Sequence, residues 1–331
     1  MKKWKKAGIM GLAALLAAGA FLAGCGGSGQ ADQVIIYSNA DDEAITAMKN
    51  ALDNNGFAGQ YLFQTFGTSE LGGKLLAEGA NIEADLVTMS TFYVDSAQEQ
   101  NQMFKDLTFE VNTLEPVSPW CAPITSQEGA IIVNTKLLEE NSLPAPTCLK
   151  DLADPVYQDM ISVTDVNSSS TAWLLIQALV SEYGEEGAKE VLSGIYQNAG
   201  DHIEDSGSAP LKKVRAGEVA VGFGLRHQAV ADQAEGLPVG FVDPTEGNFS
   251  LTESLAVVDK GAKTNEKAME MAECIIENAR GGLQATYPNP IYVGEPEDAA
   301  NKSAYPRVFG EPLTVELLQK HQELSDSCKP E

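Results

Sequence analysis

From Gln33 onward, short apolar runs alternate with amphipathic helical stretches, and this alternation constrains the fold more than any other feature of the sequence. The run Val34-Ile35-Ile36-Tyr37 is typical of a buried strand, and the polar residues 38–42 that follow are typical of a turn that opens a helix. The pattern recurs over 59–78 and again at the strand expected over 84–90. Such alternation predicts an α/β chain whose strands are mainly parallel.

The middle of the chain carries its own set of elements, which predicts a second lobe. Residues 116–124 and 129–134 are expected to be extended segments that leave the first unit. The later elements are expected at 171–183, 185–197 and 209–215 (helices), 219–223 (strand), 227–234 (helix), 251–258 (strand), and 265–278 and 313–324 (helices). No polar linker separates the halves, and roughly 300 residues suffice for two cores, so we expect two lobes joined by crossing strands.

The first residues are typical of an exported lipoprotein. A basic cluster at 2–6 precedes an apolar run that falls short of the roughly 20 residues of a spanning helix and ends in small residues. The segment Leu22-Ala23-Gly24-Cys25 resembles the lipobox of bacterial lipoproteins, which implies cleavage before Cys25 and lipid on that cysteine. We therefore expect a signal peptide over 1–24, a flexible tether over 25–32, and an extracytoplasmic protein anchored to the membrane. A bare transmembrane anchor is the alternative.

The charge of the chain excludes one class of partner. Removing residues 1–24 takes away four of the 22 lysines and arginines and none of the 47 acidic residues, which leaves a formal charge of −29. Such a surface repels nucleic acid and anionic lipid, so we expect no nucleic-acid partner. An anionic ligand must therefore be held by a local site.

Four further cysteines leave the redox chemistry open. They are Cys121, Cys148, Cys274 and Cys328, with no CxxC pair and no metal-ligand spacing. Export permits disulfides, and four cysteines allow three pairings, but free buried cysteines fit equally well.

Motifs that would indicate an enzyme are absent from the sequence. It has no G-x-S-x-G elbow, no H-E-x-x-H and no Walker loop. None of its three histidines, His202, His227 and His321, lies beside a plausible nucleophile motif. Paired carboxylates such as Asp41-Asp42 are expected to be solvated in so acidic a chain. We therefore expect a binding protein without a catalytic site, a metal or a cofactor.

Hydroxyl-bearing residues occur where helices are expected to begin. Residues 165–172 (DVNSSSTA) precede a strongly apolar helix, and Thr68 and Ser69 open another. A helix N-terminus offers free N–H groups and a positive dipole end, which together bind oxyanions. Ordinary N-capping needs only one hydroxyl, which the run Ser168–Thr171 exceeds. At Thr68 and Ser69, capping and anion binding fit equally well.

Taken in order, several segments resemble one family of bacterial solute-binding proteins, which serves ferric iron, phosphonates and phosphorylated small molecules. The matching segments are 67–79 (GTSELGGKLLAEG), 129–135 (GAIIVNT), 143–147 (LPAPT), 150–152 (KDL), 165–172, 206–210 (SGSAP), 215–222 (RAGEVAVG) and 246–247. The resemblance covers most of the mature chain, although its separate motifs do not specify a ligand.

The resemblance implies a two-lobe periplasmic-binding-protein-like fold of type II with a hinge of crossing strands. Lobe 1 would comprise 33–122 plus 252–331 and lobe 2 would comprise 123–251, with the ligand in the cleft and closure as the signal to an ABC permease. Ligands of open α/β sheets bind beyond the carboxyl ends of strands. The expected solute-binding residues are Ser38, Asn39, Thr68, Ser69, Ser90, Ser169, Ser170, Thr171, Ser208, Arg226 and His227.

One departure from the family pattern narrows the ligand. Ferric-iron members carry adjacent tyrosines where this chain has 224–228 (GLRHQ). Arg226 could donate two parallel hydrogen bonds to a phosphate, phosphonate or carboxylate, or it could be an ordinary exposed residue at a helix start. We therefore expect a monomeric lipoprotein that delivers a small anionic solute, a phosphonate or phosphate ester. A ferric-iron or metal-complex binding protein, or a ligand sensor, is the alternative.

Overall fold

The computed structural model describes residues 33–330, and their strands form one mixed sheet. The strands are β1 Val34–Ser38, β2 Tyr61–Thr65, β3 Leu86–Ser90, β4 Cys121–Asn134, β5 Ile161–Thr164, β6 Ile203–Glu204, β7 Val221–Leu225, β8 Val239–Val242, β9 Asn248–Val257 and β10 Pro306–Arg307. The helices are α1 Asp42–Leu52, α2 Thr68–Glu78, α3 Thr91–Asn101, α4 Thr135–Glu140, α5 Thr171–Ala199, α6 Ala209–Ala216, α7 Arg226–Ala234, α8 Glu266–Asn278, α9 Arg280–Thr286 and α10 Val315–Asp326. The signal peptide and tether expected over 1–32 lie outside the described residues.

Two long antiparallel strands, β4 and β9, join the two ends of the sheet. The strand order is β2-β1-β3-β9-β4-β7-β5-β6, with β10 paired to β9 and β8 to β4. Residues 121–128 of β4 pair with β9, whereas 129–134 pair with β7 and β8. The two segments expected at 116–124 and 129–134 are therefore largely one continuous strand. Its register shifts at a bulge between Pro123 and Thr125.

We name the two ends of the sheet by their strands. The first sheet half is β2, β1 and β3, which run parallel, and the second sheet half is β7, β5 and β6 with β8. Most helices lie where the sequence places them. The long helix α5 is interrupted at Gly184, whose φ of 66° favours glycine, and this is the break expected between 183 and 185.

The sequence analysis missed helix α3, and its burial explains why. Its buried residues Phe92, Tyr93, Val94 and Ala97 all lie within the first seven positions of the helix, and the last four residues are polar. An amphipathic helix is recognised by an apolar stripe along its whole length, which this segment lacks.

Trp173, at the start of α5, belongs to the larger hydrophobic core. It is fully buried, its ring contacts that of Phe92 on α3, and its indole Nε1 donates to His321 Nδ1 on α10 at 2.8 Å. Burial lowers the pKa of His321 to about 4, so the ring is a neutral acceptor. Helix α10, which the sequence assigns to lobe 1, thus packs on α5, which it assigns to lobe 2. The lobe boundaries stay a prediction.

The four cysteines between 121 and 328 are all unpaired, and Cys148 alone among them is more than slightly exposed. Within residues 33–330, no helix is both long and apolar enough to cross a membrane.

Two neighbouring glycines of α2 give a matched test of this packing. A Cβ on Gly72 would lie 2.3 Å from the ring of Tyr93, whereas one on Gly73 would meet no atom within 4 Å. We expect Gly72→Ala to lower the free energy of unfolding by about 1–3 kcal/mol through overpacking. Gly73→Ala should raise it by about 0.5–1 kcal/mol, because alanine favours the helix. Urea denaturation measures both, and equal effects would contradict the α2–α3 contact.

Candidate functional site

A cavity of about 290 Å³ lies between the two sheet halves. The first sheet half and its helices contribute Asn39, Ala40, Asp41, Ala44, Phe66, Gly67, Thr68 and Tyr287. The crossing strands contribute Ile124, Thr125, Gln127 and Glu253. The second sheet half contributes Ser168, Ser169, Ser170, Thr171, Asp205, Ser206, Gly207, Ser208, Leu225 and Gln228. Because every part of the sheet supplies wall residues, a ligand here would contact both halves.

Five helices, α1, α2, α5, α6 and α7, begin at this cavity. Asp41 caps α1, whereas the N-cap residues of the other four, Gly67, Ser170, Ser208 and Leu225, make no side-chain capping hydrogen bond. Among these four, the nearest approach to a cap is the 3.4 Å contact from Thr171 N to Ser169 Oγ. Some of the first N–H groups already have partners, since Ala172 N donates to Ser169 O and Ala209 N to Ser206 O, but the dipoles of these helices still favour negative charge at their starts. This wall of the cavity is therefore suited to an oxyanion.

Acidic side chains line the cavity as well, and none of its wall residues is a lysine or arginine. Glu253 is buried, and desolvation raises its pKa to about 7. Asp41 caps α1 by accepting from Ala44 N, and the Tyr287 hydroxyl donates to it. Removal of water from around the Asp41 carboxyl raises its pKa, although part of the side chain remains exposed. Asp41 and Asp42 are exposed, as expected, but the Asp41 carboxyl also has hydrogen-bond partners within the protein.

Glu253 is held in a hydrogen-bond network that joins the two sheet halves. Ser90 Oγ donates to Glu253 Oε1 at 2.7 Å and lies 3.4 Å from Ser170 Oγ. With the Asn39 amide oriented to satisfy its neighbours, its nitrogen donates to Glu253 Oε2 at 2.9 Å and its oxygen accepts from Thr68 Oγ1 at 3.0 Å. Glu253 lies between Ser90 of β3 and Thr125 of β4 in the sheet, which fixes its position.

The structure brings together six of the eleven expected site residues. Asn39, Thr68, Ser169, Ser170, Thr171 and Ser208 line the cavity. Ser90 is buried and does not line the cavity, but it donates to Glu253, which does. Ser38 is also fully buried, and its Oγ accepts from Thr88 Oγ1. Ser69 contacts Tyr93 instead.

Arg226 lies outside this cavity. Its guanidinium donates to both carboxylate oxygens of Asp243, at 2.8 and 3.3 Å, and to the carbonyls of Ala300 and Lys302. It also lies over the ring of Phe241. With these partners it is neither an exposed residue nor a group free to bind an anion, so both interpretations of Arg226 need correction.

His227 also lies outside the cavity. Its ring packs beside Tyr287, its Nε2 is buried without a hydrogen-bond partner among residues 33–330, and burial lowers its pKa to about 4. His227 contacts Tyr287, which lines the cavity, but does not line the cavity itself.

Sequence reasoning missed Asp41, Phe66, Gln228, Glu253 and Tyr287. One signal was available, because Glu253 is an acidic residue inside the strand expected over 251–258, and a buried carboxylate in a strand needs a reason. The others carry no local signal, since loops and helix ends far apart in the chain bring them together.

Comparison with known proteins identifies the family. The family model described as "Bacterial extracellular solute-binding protein" matches residues 80–300. The chain belongs to this family. The resemblance inferred from the sequence and the expected fold class are thus confirmed.

Individual relatives of this solute-binding protein are distant. An uncharacterized protein of Haemophilus influenzae is 28% identical over 137 residues, 41% of this chain, and the match spans 39% of that protein. The spermidine/putrescine-binding periplasmic protein of Salmonella typhimurium is 24% identical over 92% of this chain and 91% of its own length. The periplasmic binding protein AfuA from Actinobacillus pleuropneumoniae, solved with exogenous fructose-6-phosphate bound, has a TM-score of 0.69 at 19% identity over 89% of this chain and 97% of its own.

Glu253 gives the site a measurable dependence on pH. The pKa of Glu253 is about 7 in the folded chain, against 4.5 in the unfolded chain. The carboxyl group therefore binds its proton more tightly when the chain is folded. The wild type should therefore lose on the order of 3 kcal/mol of stability as pH rises from 4.5 to 7. We expect Glu253→Gln, which cannot ionise, to be more stable than the wild type at pH 8 and similar to it at pH 4.5.

Urea denaturation at both pH values measures this difference. Glu99→Gln, at an exposed position of α3, serves as the control and should show no such pH-dependent gain. A constant difference between Glu253→Gln and the wild type over this range would contradict the burial of an ionisable Glu253.

Proposed function

We propose that this solute-binding protein captures a small solute with a phosphonate or phosphate-ester group and delivers it to an ABC permease. The start of four helices without side-chain caps at one hydroxyl-lined cavity supports this proposal above all. Oxyanions are the ligands that such helix N-termini bind best. The fructose-6-phosphate bound to the related fold of AfuA is a phosphate ester, which agrees with the proposed chemistry.

In this proposal the solute joins two lobes. Its acidic group contacts Ser169, Ser170, Thr171 and Ser208 on one side of the cavity, and Thr68 and the start of α2 on the other. The bulge in β4 between Pro123 and Thr125 would serve as the hinge, because a bulge bends the strand in which it lies. Closure of lobe 1 (33–122 plus 252–331) onto lobe 2 (123–251) would then present a compact form to the permease.

The alternative of a ferric-ion protein has weaker support. In the part of the chain that the structure describes, no group of three or more His, Cys, Asp or Glu side chains is placed to hold a metal ion. A thermal-shift screen of phosphonates, phosphate esters, carboxylates and ferric salts separates the two proposals, since a ligand at 100 times its Kd stabilises by about 2.7 kcal/mol. Stabilisation by ferric salts alone would favour the metal.

Loss of a hydroxyl at the start of α5 should weaken binding of the phosphonate or phosphate ester found by that screen. A hydrogen bond to a charged group contributes about 1.5–3 kcal/mol, so we expect Ser169→Ala and Thr171→Val each to raise Kd about ten-fold or more. Calorimetry measures Kd directly. Ser181→Ala, at an exposed position on the same helix, is the control and should bind normally.

A second variant separates the cavity from Arg226. The double variant Arg226→Met, Asp243→Leu removes both members of a buried ion pair, so that neither charge is left unpaired. Circular dichroism checks that it folds, because Asp243 also accepts from Ala304 N and Asn248 Nδ2. If the anion lies at the helix starts, this variant keeps its affinity. Lost affinity in a folded double variant, with normal binding by Ser169→Ala and Thr171→Val, would move the anion site to Arg226.

We further propose that Cys25 is lipidated and tethers the protein to the membrane. The lipobox-like residues 22–25 support this proposal. Cys25→Ala should shift the protein from the membrane fraction to the soluble fraction of cells, whereas Cys148→Ala should not. A Cys25→Ala protein that still fractionates with membranes would rule out the lipid anchor.

A further inference from the structure

A short hydrogen-bonded chain connects the buried carboxyl group of Glu253 to the start of α5. Ser90 Oγ lies 2.7 Å from Glu253 Oε1 and 3.4 Å from Ser170 Oγ, and it is placed to donate to either. Ser170 is the N-cap residue of α5 and lines the cavity. A serine hydroxyl carries a single proton, so Ser90 can donate to only one of these two acceptors at a time.

The charge of Glu253 decides which acceptor Ser90 uses. An ionised carboxylate only accepts, so Ser90 then donates to Oε1 across the shorter distance and nothing orients the proton of Ser170. Because the Asn39 amide nitrogen donates to Oε2, an added proton would occupy Oε1. Glu253 would then donate to Ser90, Ser90 to Ser170, and the hydroxyl proton of Ser170 would be left to donate into the cavity.

The other groups around Glu253 oppose its ionisation beside an anion. Desolvation first, and then the charge of Asp41 at the start of α1, raise the pKa of Glu253. Tyr287, which follows α9, is a neutral phenol that donates to Asp41, and His227 of α7 lies beyond it with a pKa lowered by burial to about 4. Asp205 is a further carboxylate of the cavity.

Neutral side chains face Glu253 from the remaining elements. Ser90 of β3 and Thr125 of β4 flank it in the sheet, and Thr68 of α2, Ser170 of α5 and Gln228 of α7 line the cavity around it. None of the wall residues is a lysine or arginine. An ionised Glu253 would therefore face a bound oxyanion with no side-chain cation between them, which is strongly unfavourable in a site with little water.

We propose that the solute is captured together with a proton: its oxyanion binds preferentially when Glu253 carries hydrogen on Oε1 and Ser90 passes that hydrogen-bond direction on to Ser170. The proton comes from the solvent, stays on Glu253 while the solute is bound and returns to the solvent on release. This inference rests on the proposed function and adds a dependence on pH to it. Glu253 is a positioning residue here, since it acts through Ser90.

A pH profile of binding tests this coupling. Calorimetry at pH 5.5 and 8.5 measures Kd for methylphosphonate and for the tightest phosphonate or phosphate ester of the thermal-shift screen. Glu253→Gln cannot ionise, so its profile contains only the titration of the solute itself. Relative to that profile, the wild-type Kd should rise about 30-fold from pH 5.5 to 8.5, because Glu253 must be protonated against a pKa of about 7.

The proton can also be counted directly. Calorimetry at pH 8 in Tris and in HEPES, which differ in ionisation enthalpy, gives the number of protons taken up with each solute. The wild type should take up close to one proton more than Glu253→Gln. Glu128→Gln is the matched control, because Glu128 is a poorly solvated carboxyl group on a crossing strand that bonds Ser303 outside the cavity. It should keep the wild-type pH profile and proton uptake.

Two further variants locate the titrating group and the relay. Asp41→Asn keeps a capping side chain on α1 and should still bind more weakly as pH rises. Loss of the pH dependence there, with none lost in Glu253→Gln, would assign the proton to Asp41 and overturn the inference. Ser90→Ala should shrink the ratio of the two Kd values, since Ser170 is no longer oriented at pH 5.5. A full wild-type ratio in folded Ser90→Ala would refute the relay.

The outcomes separate this inference from the proposed function. Equal pH profiles and equal proton uptake in the wild type and Glu253→Gln, with both proteins binding the solute, would overturn the proton coupling and leave the oxyanion site intact. No binding of any phosphonate or phosphate ester by either protein at pH 5.5 would overturn the proposed function itself, and this inference with it. Circular dichroism checks that each variant is folded.

Discussion

The pairing of β4 with β9 is the constraint on which the rest of this structure depends. Strand β4 pairs with β9 through Glu128 and then with β7 and β8, while β9 pairs with β3 on its other edge. Both sheet halves are therefore held by the same two strands, and the cavity lies where the halves meet. Glu253 on β9 bonds Ser90 and Asn39 of the first sheet half, and it reaches the second half through Ser90, whose Oγ lies 3.4 Å from Ser170 Oγ.

The site is assembled at a cost to stability. The Glu253 carboxyl group is buried, and the amide oxygen of Gln228 is buried with no hydrogen-bond partner among residues 33–330; both are unfavourable for the fold. A ligand that satisfies them recovers this free energy on binding. The hydrogen bonds from Ser90 and Asn39 to Glu253 keep the carboxylate in place meanwhile, so the site is ordered before the solute arrives.

The sequence predicted the architecture well because strands and helices are specified locally. The alternation after Gln33, the break at Gly184 and the hydroxyls of 168–171 are all visible in short windows, and all three lie where expected. The partner of Arg226 was not visible, because Asp243 follows it by 17 residues, beyond helix α7, a turn and strand β8. Side chains that meet only through the folded sheet, such as Glu253 and Asp41, leave almost no trace in a single sequence.

The overall charge also bears on which solute this surface can capture. With a formal charge of −29 in the predicted mature chain, the protein repels a dianion at long range, and this slows encounter most at low ionic strength. An anionic solute must therefore be held by a local site, against the field of the whole surface. The walls of the cavity offer helix starts and hydroxyls for this purpose, and none of the wall residues is a lysine or arginine. Binding of an anion here would then depend on hydrogen bonds and helix dipoles, which act only at short range.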